Sequence, residues 1–255
     1  MEFLRYFFRG QEDGIPLKPY SLPHLILLAI FLYGAYAIVT KKFNIDKKEN
    51  NQKLLNTFAT IILIDQIVLY SWQFGSGYFS LDMSLPLYHC RIAVIFLILG
   101  ILKDNRFFKT MTIFWGSLGS VLAMAIPDLY KFSFPHYTNF QFFLVHMILG
   151  WVVLDLLFVE KINLNIKDLK KVLIFSTAYN VILIIVNLIM RMNYPDVNYG
   201  YMMYAPGGFT LFNSSSLHAI VMTILFNIAG IALYKLFALK YEERNLWEIS
   251  KSLAK

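Results

Sequence analysis

Long apolar runs separated by short polar breaks cover most of this chain. A helix needs about 20 mostly apolar residues to cross a bilayer, so each long run predicts one membrane-spanning helix. The pattern predicts an all-α, polytopic membrane protein: a seven-transmembrane-helix bundle (24–239) within a single membrane domain over residues 1–255, with an N-terminal segment (1–21) before it and a C-terminal segment (240–255) after it. The seven predicted spans cover residues 24–40, 54–71, 87–102, 109–127, 138–158, 169–190 and 217–239.

The composition supports the same class of protein. Of the 255 residues, 58% are hydrophobic and 15% are charged, and the mean hydropathy is +0.55. An ordinary soluble domain is about 45–50% apolar and about 25% charged, so a soluble domain and a disordered chain are both disfavoured. A single Cys excludes an internal disulfide and any site built from several cysteines.

The basic residues predict an orientation. Of the 23 lysines and arginines, 17 lie in the first, third and fifth loops and at the C-terminal end, whereas five lie in the N-terminal segment and the even-numbered loops. Cytoplasmic loops of membrane proteins are enriched in Lys and Arg, so we expect the N-terminus outside and the C-terminus in the cytoplasm. The net charge of +7 is then an orientation signal, and no nucleic-acid partner is needed to explain it.

Polar residues inside the predicted spans collect in the outer half of the membrane. Lipid cannot hydrogen-bond them, so they should face the interior of the bundle. They form either a polar cavity open to the outer leaflet or hydrogen bonds that only hold helices together. Two of them, Asp65 and Arg91, are predicted at a matched depth, as a structural ion pair or as a site for a charged substrate. The candidate cavity-lining residues are Asp65, Arg91, Asn139, Asn187 and His218.

The only Cys lies in the segment LPLYHCR, residues 85–91. Pro86 favours a helix start, which predicts Cys90 near a helix N-terminus, where a thiolate is stabilised. A nucleophilic thiol also needs a base within hydrogen-bond reach. His146, about two turns into the fifth span, is the candidate, and His218 and His89 compete with it. The other interpretation of Cys90 is a small apolar residue that fills space between helices.

Three motifs carry a resemblance to a known family. They are PYSLPHL with His24, LPLYHC ending at Cys90, and FPHYTNFQFFLVH ending at His146. In order and spacing they resemble the YwaF-type bacterial integral membrane proteins, which are related to the eukaryotic transmembrane protein 164. This resemblance implies a multi-pass protein of a bacterial plasma membrane.

The resemblance also implies an activity. The eukaryotic relatives are similar to acyltransferases that move fatty acyl chains between glycerophospholipids through a Cys and a His. Mapped by motif, Cys90 is the acyl-accepting nucleophile and His146 the general base, and membrane phospholipids are acyl donor and acceptor. Arg91, Asn139 and Asn187 are candidate donors to an oxyanion, and water as second nucleophile would make the same site a lipid hydrolase. No cofactor or metal is implied, and the five His residues show no metal-ligand spacing.

Other classes of protein stay open. A transporter or ligand-binding protein would also use a polar outer half, although the chain shows neither an internal repeat nor paired broken helices. A receptor-like seven-helix protein or a scaffold without catalysis fits the same topology. The segment GSLGS at 116–120 permits close helix packing, either within one chain or between copies in a homo-oligomer.

Overall fold

The computed structural model describes residues 1–205, 210 and 214–253, with side chains as far as residue 238. Every regular element in these ranges is helical. Short 3₁₀ turns lie at Lys42–Asn44 and Tyr199–Tyr201. The α-helices of the described residues are α1 (Glu2–Phe7), α2 (Leu22–Val39), α3 (Lys48–Gly75), α4 (His89–Leu102), α5 (Arg106–Ala125), α6 (Tyr137–Phe158), α7 (Ile166–Met190) and α8 (Ser215–Leu253).

Within the described residues, six helices are long and apolar enough to cross a membrane: α2, α3, α5, α6, α7 and the Ser215–Ala238 part of α8. Helix α4 occupies the third predicted segment but has only 14 residues. At 1.5 Å per residue it is about 21 Å long, shorter than the roughly 30 Å hydrocarbon core of a bilayer. The six long helices define a polytopic membrane protein.

Helix α4 begins later than the position of Pro86 suggests. Its first residue is His89, because the segment before it is held in a non-helical conformation. The Arg91 guanidinium donates to the carbonyl oxygens of Ser84 at 2.7 Å and Leu85 at 3.3 Å. These carbonyls therefore bind a side chain of the helix instead of extending the helix backwards.

The chain divides into two compact units, Met1–Glu160 and Lys161–Lys255. The first unit contains α1 to α6, and α6 is its central helix, because it packs against α2, α3, α4 and α5. Of the most apolar stretch of α6, 67% is buried, compared with 17% for α2. Polar residues on α6 are consequently enclosed by protein.

The contact between α2 and α6 depends on a residue without a side chain. A Cβ atom at Gly34 of α2 would lie 2.3 Å from the indole ring of Trp151 of α6. The same indole N–H donates to the carbonyl oxygen of Phe31 at 2.9 Å. Trp151 thus occupies the space left open at Gly34, and its N–H is satisfied by the neighbouring backbone.

Helix α5 also approaches its neighbours through small residues. A Cβ at Gly116 would lie 2.9 Å from the side chain of Val153 on α6. A Cβ at Gly100 of α4 would lie 2.9 Å from the backbone nitrogen of Lys109 on α5. Small residues allow helices to pack closely where lipid gives no hydrophobic driving force. The GSLGS segment therefore serves packing within this chain.

The N-terminal segment is tied to the loop between α5 and α6. The indole N–H of Trp72 donates to the carbonyl oxygen of Phe8 at 3.0 Å. The guanidinium of Arg9 donates to the carbonyl oxygen of Ser133 at 2.9 Å and to the Asp13 carboxylate at 2.7 Å. Asp13 in turn accepts from the backbone N–H of Ser133 at 2.6 Å and from the Ser133 hydroxyl.

The second unit contains α7 and α8, which pack against each other. Helix α7 begins with a capping box formed by Asn165 and Asp168, in which two backbone N–H groups at the helix start are satisfied by side chains. The side-chain amide of Asn227 on α8 donates to the hydroxyl of Thr177 on α7 at 2.9 Å.

Replacement of Gly34 by Val should destabilise the first unit. The new side chain would overlap the indole of Trp151, and overpacking of this kind costs about 1–3 kcal/mol. The measurement is thermal unfolding in detergent. The control is Gly75→Val, because a Cβ at Gly75 meets nothing within 4 Å; equal melting temperatures for the two variants would contradict the described contact.

A second prediction concerns pH. Hydrogen bonds from Ser133, with a contribution from Arg9, hold the pKa of Asp13 below its usual range. A carboxyl whose pKa is lowered on folding stabilises the folded state above its unfolded pKa of about 3.9, and this contribution is lost as pH falls further. Asp13→Asn should therefore lower the melting temperature at pH 7, and the difference from the unsubstituted protein should begin to shrink as pH falls below about pH 4. The exposed Asp46 gives the control, Asp46→Asn; a difference for Asp13→Asn that is constant with pH would refute the prediction.

Candidate functional site

Cys90 lies in the first turn of α4, where it packs against α5. A Cβ atom at Gly119 would lie 3.3 Å from Cys90 Cβ and 3.8 Å from Leu149 Cδ2 of α6. Cys90 of α4 therefore lies against α5, next to the part of α6 that carries Leu149. As a residue, Cys90 is partly exposed. It lies in the first turn of α4, directly after the N-cap residue Tyr88 and His89.

Arg91 is held by neutral oxygen atoms. In addition to the carbonyls of Ser84 and Leu85, its guanidinium donates to the hydroxyl of Tyr130 at 2.8 Å. Asp65 accepts instead from the side-chain amides of Gln66 at 3.0 Å and Gln141 at 2.8 Å. The ion pair that was one of two expectations for Arg91 and Asp65 does not form.

The residues that surround Arg91 had no signal in the sequence. The side-chain amide of Gln73, which is fully buried, donates to the Tyr130 hydroxyl at 3.1 Å. The hydroxyl of Tyr70 donates to the carbonyl oxygen of Ser84 at 3.1 Å. Tyr70 and Gln73 lie near the end of α3 and Tyr130 in the loop between α5 and α6, so only the tertiary structure brings them to the guanidinium.

His146 is buried on α6 with one ring nitrogen bonded and the other unpaired. Its Nδ1 lies 2.6 Å from the carbonyl oxygen of Phe142. A carbonyl oxygen can only accept, so Nδ1 carries the hydrogen and Nε2 of the neutral ring keeps its lone pair. Nε2 is buried without a hydrogen-bond partner. His146 thus presents a free acceptor inside the protein, and it is close enough to Arg91 for the two groups to interact electrostatically.

Two other histidines have structural contacts on both ring nitrogens. His24 accepts from the backbone N–H of Tyr20 at 2.8 Å and lies 3.0 Å from the carbonyl oxygen of Met124. His136 caps α6, and its Nε2 lies 3.0 Å from the carbonyl oxygen of Arg9. His89 lies against the ring of Trp115, with centroids 5.1 Å apart.

Asn139 lies at the outer predicted end of α6. Its Oδ1 accepts from the backbone N–H of His136 at 3.2 Å, as part of the helix cap. Its Nδ2 is buried without a partner. Asn139 and His146 are seven residues apart, so they share one face of α6, and each contributes one unpaired polar atom.

Asn187 and His218 belong to the second unit, where both have contacts. The Asn187 amide donates to the carbonyl oxygens of Leu183 and Tyr199, both at 2.9 Å, and accepts from the Tyr199 N–H at 2.7 Å. His218 Nε2 lies 3.2 Å from the carbonyl oxygen of Tyr201. These bonds use the amide of Asn187 to hold a 3₁₀ turn on α7, so its expected role as an oxyanion donor gains no support.

Within the first unit, Cys90 and Arg91 thus lie in the first turn of α4, and His146 of α6 interacts electrostatically with Arg91. Asn139 is on the same face of α6 as His146. In the part of the chain that the structure describes, no group of three or more His, Cys, Asp or Glu side chains could hold a metal ion. The available chemistry is that of a thiol, an imidazole with a free lone pair, a guanidinium and amide donors.

The fold and this site define a multi-pass, all-helical membrane protein whose polar residues are enclosed by helices. The chain belongs to the TMEM164 family, since the model of that family matches residues 19–239. This confirms the relationship to transmembrane protein 164 that the three motifs indicated. No curated protein and no solved structure matches the chain.

Replacement of Gly119 by Val should slow the reaction of Cys90 with an alkylating reagent. A Cβ at this position is already in tight contact with Cys90 Cβ, and the two further methyl groups would press on the thiol. If crowding of this size, about 1–3 kcal/mol, adds to the barrier for alkylation, the rate falls by about 5- to 150-fold. The rate is measured with a membrane-permeable maleimide on the purified protein. Gly75→Val is the control, and an unchanged rate in Gly119→Val would contradict the predicted contact.

Proposed function

We propose that this protein is an integral membrane lipid acyltransferase that moves fatty acyl chains between glycerolipids through a thioester on Cys90. The observation that carries the proposal is the buried, unpaired Nε2 of His146 on α6, the helix whose Leu149 lies near Gly119 of α5, as Cys90 does. The chain belongs to the TMEM164 family, and the motif resemblance implies the same two residues. Catalysis needs both a nucleophile and a base that can reach it.

His146 suits the role of a general base. The bond from Nδ1 to the Phe142 carbonyl orients the ring and leaves Nε2 as the proton acceptor. Such a second contact is what fixes the tautomer of a catalytic histidine. In a protein interior, an unpaired acceptor costs free energy. A role for Nε2 in accepting a proton during the reaction would explain why it is kept unpaired.

Cys90 suits the role of the nucleophile. Cys90 lies in the first turn of α4 and is followed by Arg91; a helix N-terminus and a nearby cation both favour developing negative charge on sulfur. A cysteine thiol is ordinarily protonated at neutral pH. We therefore expect the thiol proton to move to His146 as the sulfur attacks.

The first step forms the thioester. His146 takes the proton of Cys90, and the sulfur attacks the acyl ester carbonyl of a phospholipid. The ester C–O bond breaks, the acyl group stays on sulfur, and the lipid alkoxide leaves as a lyso-lipid after it takes the proton from His146. Asn139 Nδ2, which is buried and unpaired, is the donor best suited to the transient oxyanion, with Arg91 as the second candidate.

The second step regenerates the thiol. His146 takes a proton from the hydroxyl of a second lipid, whose oxygen attacks the thioester carbonyl. The C–S bond breaks, and the sulfur recovers the proton. Water in place of the second lipid would make the enzyme a lipid hydrolase, and the first step is the same in both cases.

The membrane arrangement is part of the proposal. We take α4 as a short membrane span, the third along the chain, which brings the number of spans to seven. The N-terminus is then outside and the C-terminus cytoplasmic, as the alternation of basic loops favours. Cys90 and Asn139 then lie near the outer surface of a bacterial plasma membrane, of the kind that houses the YwaF-type proteins. The substrates are phospholipids of that membrane.

The central test follows the acyl group. Purified protein incubated with phospholipid carrying a labelled acyl chain should acquire label that hydroxylamine releases, because a thioester is cleaved by hydroxylamine. Cys90→Ala should abolish the label. His146→Ala should slow its appearance by about 10²–10⁴-fold, the contribution of a general base.

The controls separate catalysis from folding and from simple lipid binding. His218→Ala alters a histidine that contacts the Tyr201 carbonyl in the second unit and should label at the normal rate; slow labelling in this variant alone would move the base to His218. Melting temperatures establish that each variant is folded. If Cys90→Ala still acquires the label, the thioester mechanism is wrong, and lipid binding without any label on the unsubstituted protein would favour a transporter or a receptor-like protein.

A further inference from the structure

A second buried polar pair joins α3 and α6 at the lysine-rich end of α3. The side-chain amide Nδ2 of Asn51 donates to Oδ1 of Asp155 at 2.9 Å. Asn51 is 5% exposed and Asp155 is fully buried. Asn51 lies in the first turn of α3 and Asp155 in the last turn of α6. The pair therefore joins α3 to the C-terminal end of α6, whereas Asn139 lies at the N-terminal end of α6.

Each member of this pair has one oxygen atom without a partner. Asn51 Oδ1 and Asp155 Oδ2 are both buried and form no hydrogen bond. Both atoms are acceptors when the carboxyl group is ionised, so neither can satisfy the other. A buried acceptor without a donor is costly, and a buried charge without a partner is costlier still.

The nearby cation does not compensate a charge on Asp155. Lys109 of α5 and Glu160 are the charged groups that act on Asp155 among the described residues. The Lys109 ammonium already contacts the Glu160 carboxylate at 2.9 Å and the Asp104 carboxylate at 2.6 Å. Glu49 and Lys53, near Asn51 on α3, have side chains that are 81% and 72% exposed and pair with each other. The Lys109 ammonium is therefore already paired with two carboxylates and is not available to neutralise a charge on Asp155.

We propose that Asn51 and Asp155 form a proton-binding site, in which Asp155 carries a proton on Oδ2 at neutral pH and donates it to Asn51 Oδ1. The neutral acid and the amide then form a closed ring of two hydrogen bonds, from Asn51 Nδ2 to Asp155 Oδ1 and from Asp155 Oδ2 to Asn51 Oδ1. One proton satisfies both unpaired oxygens and removes the buried charge. This site is independent of the acyl transfer proposed for Cys90.

The site has a structural consequence for α6. The ring fastens α3 to the end of the central helix, and loss of the proton would leave a charge among buried groups. The α3–α6 contact should therefore weaken when the proton is removed at high pH. The protein would hold the helix that carries His146 most firmly at neutral and acidic pH.

Infrared spectroscopy tests the proton directly. Purified full-length protein in a detergent without ester groups should show a carboxylic-acid C=O band at neutral pH. Asp155→Asn should lose this band, and Asp104→Asn, which alters a carboxyl whose side chain is 83% exposed, should keep it. Absence of a band that depends on Asp155 would overturn the proposal.

Thermal unfolding gives an independent test. Asparagine at position 155 can form the same two hydrogen bonds with Asn51 without a titratable proton, so Asp155→Asn should keep its neutral-pH melting temperature and lose the fall in melting temperature on the alkaline side. Asp155→Leu should have a lower melting temperature than Asp155→Asn. Equal destabilisation of both variants would overturn the proposal. The proposal would also be overturned if Na⁺ or K⁺ raised the melting temperature of the unsubstituted protein but not that of Asp155→Asn. The occupant of the site would then be a metal cation.

Discussion

The enclosure of α6 by four other helices is the constraint on which the first unit depends. Lipid cannot satisfy polar groups, and apolar side chains gain little by leaving lipid for another helix, so close packing must hold the helices together. Residues without side chains provide that packing: Gly34 admits Trp151 of α6, and Gly116 and Gly119 bring α5 against α6 and α4. The indole N–H of Trp151 donates to the Phe31 carbonyl oxygen in the contact between α2 and α6.

This enclosure gives α6 its chemical importance. Three of its residues, Asn139, His146 and Asp155, each keep one buried polar atom without a hydrogen-bond partner. Most other buried polar groups of the first unit are paired, as His24 and Asp65 illustrate. Unpaired atoms on the most buried helix indicate places where a substrate or a proton completes the bonding. His146 interacts electrostatically with Arg91, the neighbour of Cys90, whereas Asp155 bonds to Asn51 of α3, so the two proposed sites lie at different positions along one helix.

The fold was largely accessible from the sequence, and the site only in part. Apolar runs produced helices at all seven predicted segments, although α3 extends from Lys48 to Gly75 because polar residues outside the lipid continue a helix without difficulty. The start of α4 was misplaced, since the binding of Arg91 to the Ser84 and Leu85 carbonyls is a tertiary contact. The motifs singled out Cys90 and His146, but Tyr130 and Gln73 next to Arg91 had no sequence signal.

The sequence by itself determined the class of protein, the positions of the apolar helices and the family, because these follow from hydropathy over long windows and from short ordered motifs. Only the tertiary structure decided which polar residues are satisfied. Asp65 and Arg91 have matched positions in the sequence pattern, yet Asp65 binds Gln141 and Arg91 binds Tyr130. Hydrogen bonds depend on distances of a few tenths of an ångström and on direction, whereas hydropathy depends on neither. For that reason the lone pair of His146 and the unpaired oxygens of Asn51 and Asp155 became visible only once the helices were packed.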